Sequence, residues 1–104
     1  MTLPREQDHR ITLAEGAELT RRHRESRGKE EARAFAFGRK AFDAILAQPG
    51  CTGIRAYLAR RGDGTPDLVL VGIDADGADL ANGEVMDRAW PCPPFCPEQS
   101  DLSQ

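Results

Sequence analysis

An α+β fold is predicted from three observations. Helix-period stretches fill residues 11 to 50, the period drops to two after Gly53, and turn residues divide the second half into short runs. The expected architecture is two N-terminal helices packed on a two- or three-stranded antiparallel meander, followed by a Pro/Cys-rich C-terminal segment. A chain of 104 residues has room for one such core. With 39% hydrophobic and 30% charged residues, it falls in the globular rather than the disordered class.

Residues 1–10 lack periodicity and are read as a flexible leader, residues 11–96 as the single domain, and residues 97–104 as a flexible tail. In "ITLAEGAELTRRHRES", Thr12 and Glu15 have capping-box spacing, in which hydroxyl and carboxylate each accept a backbone N–H freed by the helix start. A helix from about Leu13 to Glu25 follows. Its apolar content is thin (Leu13, Ala14, Ala17, Leu19), which places it on the surface, and Gly28 ends it. "KEEARAFAFGRKAFDAILAQPG" predicts a second, longer helix. Glu30 and Glu31 suit its positive N-terminal end, Phe35, Gly38, Phe42 and Ile45 share one face, and Pro49-Gly50 stops it. Gly38 lowers helix propensity by about 1 kcal/mol relative to Ala, so a crossing helix or strand is expected against the backbone there.

"GIRAYLAR" sets Ile54, Ala56 and Leu58 on one side and Arg55, Tyr57 and Ala59 on the other, the alternation of a half-exposed strand. "RGDGTPD" is turn chemistry and makes a hairpin with "LVLVGID", which is apolar on both faces and is therefore the central strand. "DADG" marks a second turn, and part of 84–89 forms a third strand. The phrases "ITLAEGAELT", "FGRKAFDAILAQPGCTGIRAYL", "LVLVGIDADGADL" and "PCPPFC" resemble a family of small bacterial proteins that shares the LAQPGC-x-GIR, LVLVG-x-D and PCPP-x-C pattern, over about residues 11–96. The resemblance implies an ααββ order and places Cys51 and "PCPPFC" in one compact unit. It carries over no activity, cofactor or catalytic residue.

The first ten residues lack the apolar core of a signal peptide, and no run approaches the ~20 apolar residues that span a bilayer. A cytoplasmic protein with no membrane partner is expected, and its three cysteines are then expected as thiols unless metal-bound. The net charge of −3 is unevenly spread: residues 1–60 carry twelve Lys+Arg against eight Asp+Glu, and residues 61–104 carry two against nine. Halves of +4 and −7 suit association between copies and argue against nucleic acid as a partner.

The densest chemistry is "AWPCPPFCPE". A metal site at Cys92 and Cys96 needs further ligands. Cys51 is the third and His23 or His9 the fourth, a set that would suit tetrahedral zinc. A straight polyproline run of ~3.1 Å per residue would hold the two Cα atoms about 12 Å apart, beyond the ~7 Å that a disulfide spans, so pairing or co-ligation demands a bend at Pro93-Pro94. The favoured reading is a structural cap in which Trp90, Phe95 and the prolines cover the core; a metal site and thiol-redox chemistry follow, and no cofactor is expected, with zinc the alternative. "DADGADLANGE" misses the calcium-loop spacing and is read as a solvated turn. "RRHRESRGK" is read as solvated helix surface, with an acidic protein face as its next use. No complete catalytic constellation is visible. The expected function is a small protein-interaction or accessory module, self-associating and without catalysis of its own, that meets its partner through Arg21, Arg22, Arg24, Arg55 and Tyr57. The alternative is a metal-binding or thiol-redox protein that uses Cys92, Cys96 and Cys51.

Overall fold

The computed structural model describes residue 3, residues 7–26 and residues 31–103. Its elements are α1 (Leu13–Ser26), β1 (Ala34–Ala36), α2 (Arg39–Leu46), β2 (Gly53–Arg60), β3 (Pro66–Ile73), β4 (Val85–Met86) and β5 (Trp90–Cys92). The class is α+β, with an antiparallel three-stranded sheet in the order β2-β3-β4 and a second, two-stranded sheet of β1 and β5. Among the described residues no helix is long and apolar enough to cross a membrane.

The doubly apolar run of β3 takes the central position. Leu70, Val71, Gly72 and Ile73 are all buried, since the end of the strand that α2 covers and β2 and β4 flank favours residues without polar side chains. β2 pairs with it from Gly53↔Ile73 to Arg60↔Pro66. The connecting turn is built as its residues predict: Arg61 N–H donates to Thr65 O at 2.8 Å, Gly64 takes φ +88°, and the Asp63 carboxylate accepts the Thr65 N–H. At the other end of β3, the Asp74 carboxylate accepts the N–H groups of Asp76 and Ala78 and Gly77 takes φ +81°. "DADG" is thus an Asx-stabilised turn. β4 supplies the third strand within 84–89, pairing Leu70↔Met86 and Val71↔Val85.

α1 starts on its capping box: Glu15 N–H donates to Thr12 Oγ1 and Thr12 N–H to Glu15 Oε1, both at 3.1 Å. Gly28, expected to end this helix, lies outside the described residues, as does Glu30. The long second helix is corrected. Its first half is a strand, with Ala34↔Cys92, Phe35↔Pro91 and Ala36↔Trp90 in register, and only Arg39–Leu46 is helical. Phe35 and Phe42 therefore belong to different elements that a helical wheel merges. Gly38 is the hinge between them, in extended conformation (φ −71°, ψ 157°), and the group crossing it is the Trp90 ring, 3.7 Å from where a Cβ would stand.

The expectation of two helices on the sheet is corrected as well. α2 packs on β2 and β3 through Ile45, which is 0% exposed. α1 instead meets the segment read as a tail: Leu102 lies against Gly16, and Arg24 Nη1 donates to Leu102 O at 2.8 Å. A side-chain clamp joins α2 to the β4 hairpin. Gln48 Nε2 donates to Ile45 O and Gln48 Oε1 accepts the Glu84 N–H, each at 2.8 Å. The amide passes between Gly72 and Gly83, where a methyl group on either would collide with it.

Candidate functional site

Three groups of side chains compete for function: the cysteines, the arginines of α1, and the two faces of β2. Cys92 and Cys96 form a disulfide with Cα atoms 4.7 Å apart. The straight polyproline geometry is therefore wrong for this segment, which turns back through two cis peptide bonds, Cys92–Pro93 and Pro93–Pro94, while Phe95 N–H donates to Pro91 O. The expectation of three thiols is corrected with it: Cys51 alone is free. Cys51 Sγ points to Gly53 O at 3.3 Å, packed over Gly72 beside the α2 terminus, and His23 is exposed on α1. The zinc set of Cys51, Cys92, Cys96 and His23 does not converge, because the two sulfurs that would anchor it are bonded to each other. Among the described residues no group of three or more His, Cys, Asp or Glu is placed to hold a metal ion.

The cap expected of the aromatic residues is only partly built. Trp90 covers Gly38 but remains 52% exposed, and Phe95 is 61% exposed. Cys92 is buried at 2% exposure, and Cys96 is half-buried. Sequence reading missed Arg33, which sits at this corner. Its backbone N–H donates to Cys92 O at 2.8 Å, its Nη2 lies 3.9 Å from Cys96 Sγ, and its buried Nε has no hydrogen-bond acceptor among the described residues. Arg33 also borders a cleft of about 620 Å³ whose walls include Phe35 from β1 and Leu58 and Pro66 from the hairpin. An arginine inside a stretch read as one continuous helix gives no sequence signal for this role.

The α1 arginines are engaged close to home. Arg21 Nη1 bonds Glu25 at 2.6 Å and its Nη2 bonds Glu18, Arg22 lies 3.5 Å from Glu18, and Arg24 holds Leu102 O. Arg27 and Lys29 of the basic run lie outside the described residues. The pairs explain why the carboxyl of Glu18 is held below its ordinary range, chiefly by the Arg21 hydrogen bond. The helix thus presents a mixed-charge surface.

On the odd face of β2, Arg55 and Tyr57 converge on one carboxylate. Arg55 Nη1 reaches Asp79 Oδ1 at 2.5 Å and Gly77 O at 3.0 Å, while Tyr57 donates its hydroxyl to Asp79 Oδ2. The Tyr57 bond, and then Arg55, hold the Asp79 carboxyl below its ordinary range; the same carboxylate pushes the Tyr57 hydroxyl up. Both residues therefore brace the 74–79 turn onto β2. Asp67 was read as a turn residue, yet it is buried beside Arg61, 3.7 Å away.

The even face and outer edge of β2 remain. Among the described residues no strand pairs with that edge. Because Arg61 N–H bonds to Thr65 O, the alternation of an antiparallel ladder directs the odd-numbered residues of β2 toward β3 and leaves the N–H and C=O groups of Ile54, Ala56 and Leu58 pointing outward. Leu58 is 91% exposed on this edge. No protein-family model, curated protein or solved structure matches the chain, so its function is argued from this geometry.

Proposed function

We propose that the protein is a small association module and that its docking element is the outer edge of β2, taken by a second copy of the same chain. The observation that carries this reading is Leu58, an apolar side chain almost fully in water on an eight-residue strand whose outer edge no other described strand pairs. Natural sheets protect such edges with proline, bulges or inward-pointing charge. β2 has no proline, and one of its charged side chains, Arg55, is turned to the opposite face and held by Asp79. Antiparallel addition of a second β2 satisfies the outward N–H and C=O groups of both strands, joins the two three-stranded sheets, and sets each Leu58 on the same face as the partner's Ile54 and Ala56.

A second copy fits better than an unrelated strand because the halves of the chain carry opposite charge, +4 and −7, and two-fold pairing can set them against each other. The α1 arginines are less suited to this role, since Glu18, Glu25 and Leu102 already occupy them. Sedimentation across a concentration series tests the reading, with Leu58→Asp as the variant. Full burial of a leucine contributes about 1.5–3 kcal/mol, twice over at a two-fold interface, so the variant should weaken association about a hundredfold or more. A wild-type monomer up to ~1 mM, or unchanged association in Leu58→Asp, would overturn it.

A further inference from the structure

We infer that Cys92–Cys96 is an exchangeable disulfide in which Cys96 is the sulfur that trades with an external dithiol or disulfide, Cys92 is the resolving sulfur, and Arg33 stabilises the Cys96 thiolate. Arg33 and Leu58 border one cleft, but this inference concerns a covalent site and is argued from observations separate from those behind the association reading.

Accessibility separates the two sulfurs. Cys92 closes β5 at 2% exposure, with its carbonyl bonded to Arg33 N–H, while Cys96 lies four residues on in the turn and is half-buried. An incoming thiolate therefore reaches Cys96. Charge separates them as well: the Arg33 guanidinium stands 3.9 Å from Cys96 Sγ. A cation at that range favours the thiolate over the thiol, and lowered thiol pKa values mark exchanging cysteines. The same guanidinium keeps a buried Nε–H without an acceptor among the described residues. A neutral disulfide supplies little to it, whereas a thiolate at Cys96 brings an anionic acceptor to this corner. The surroundings suit a polypeptide partner, since Trp90 and Phe95, close in sequence to Cys92 and Cys96, are both exposed and offer apolar surface for docking.

The exchange balances as follows. One thiolate of a dithiol attacks Cys96 Sγ, the Cys92–Cys96 bond breaks, and its electron pair leaves on Cys92, which takes a proton. The second thiolate of the dithiol then attacks the partner sulfur of the mixed disulfide and releases the Cys96 thiolate beside Arg33. Two electrons pass from the dithiol, which becomes a disulfide, to the protein, which becomes a dithiol. In the reverse direction the Cys96 thiolate attacks a partner disulfide and Cys92 resolves the mixed species.

The test uses the full chain, reduced and then alkylated with iodoacetamide over a pH series, with each cysteine followed by peptide mapping. Cys96 should react about tenfold faster than Cys92 at neutral pH, with a midpoint below the ordinary thiol value of about 8.5. Arg33→Gln should move the Cys96 midpoint up by about one unit and leave that of Cys92 in place. Arg33→Lys keeps the charge and should retain most of the lowered midpoint; circular dichroism confirms that each variant and the reduced protein are folded. With glutathione disulfide, reduced Cys92→Ser should accumulate a stable mixed disulfide at Cys96, and Cys96→Ser should accumulate little. Faster labelling of Cys92, a Cys96 midpoint indifferent to Arg33→Gln in a folded protein, or resistance of the native disulfide to excess dithiothreitol would overturn the inference.

Discussion

Gly83→Ala tests the packing around the Gln48 clamp. A methyl group at residue 83 would overlap Gln48 Oε1, the atom that accepts the Glu84 N–H, so the amide has to leave its seat between Gly72 and Gly83. The φ of Gly83 lies outside the left-handed region, so the cost is steric displacement rather than backbone strain. Two hydrogen bonds go with the amide, to Glu84 and Ile45, each contributing about 1 kcal/mol net. The restricted unfolded chain of the alanine variant returns about 0.4–1 kcal/mol, leaving a net loss of about 1–1.5 kcal/mol. Gln48→Ala should lose about 2 kcal/mol directly. In that background Gly83→Ala should cost nothing or stabilise slightly, since the colliding atom is gone. The assay is urea unfolding of both single variants and the double variant, followed by the fluorescence of Trp90, with a fall in Tm of several degrees per kcal/mol as a second reading. Equal cost of Gly83→Ala in the two backgrounds, within about 0.5 kcal/mol, would refute the reasoning.

Three further outcomes follow from particular contacts. Thr12→Ala removes the acceptor for Glu15 N–H and should cost α1 about 1 kcal/mol, read as faster amide exchange confined to Leu13–Ser26. Reduction of Cys92–Cys96, which closes a loop of sequence separation 4, should lower stability by about 2 kcal/mol on the chain-entropy account, measured by urea unfolding with and without dithiothreitol. The Asp79 carboxyl is depressed in the folded state by Tyr57 and then Arg55. Its contribution is therefore complete above the unfolded value of about 3.9 and is lost as the pH falls through the lower folded value, so stability should decline less steeply between about pH 4 and 2 in Asp79→Asn than in the wild type.

Legibility followed the range of the determining interactions. The start of α1 was readable because Thr12 and Glu15 bond each other three residues apart, and the β2–β3 hairpin because Asp63 and Gly64 shape its turn from within. Leu70 to Ile73 were placed in the core by an apolar run that suits only a covered strand. The segment from Ala34 to Leu46 was not readable in the same way. Its phenylalanines fit a helical wheel, and only pairing with Trp90–Cys92, more than fifty residues on, turns the first half into β1. A partner that distant leaves no periodic mark on the local sequence.

The functional residues divide along the same line. Composition and spacing alone marked "PCPPFC" as a stiff, cysteine-bearing segment and β2 as a half-exposed strand, because both properties belong to contiguous residues. Tertiary structure decided what each can do. It bonded Cys92 to Cys96 rather than gathering either with Cys51 and His23, brought Arg33 across 63 residues to Cys96, committed Arg55 and Tyr57 to Asp79, and left Leu58 exposed at an edge that no described strand pairs. These outcomes depend on which chain segments meet, and burial, ion pairing and strand pairing are energies of that meeting rather than of any residue's neighbours in sequence.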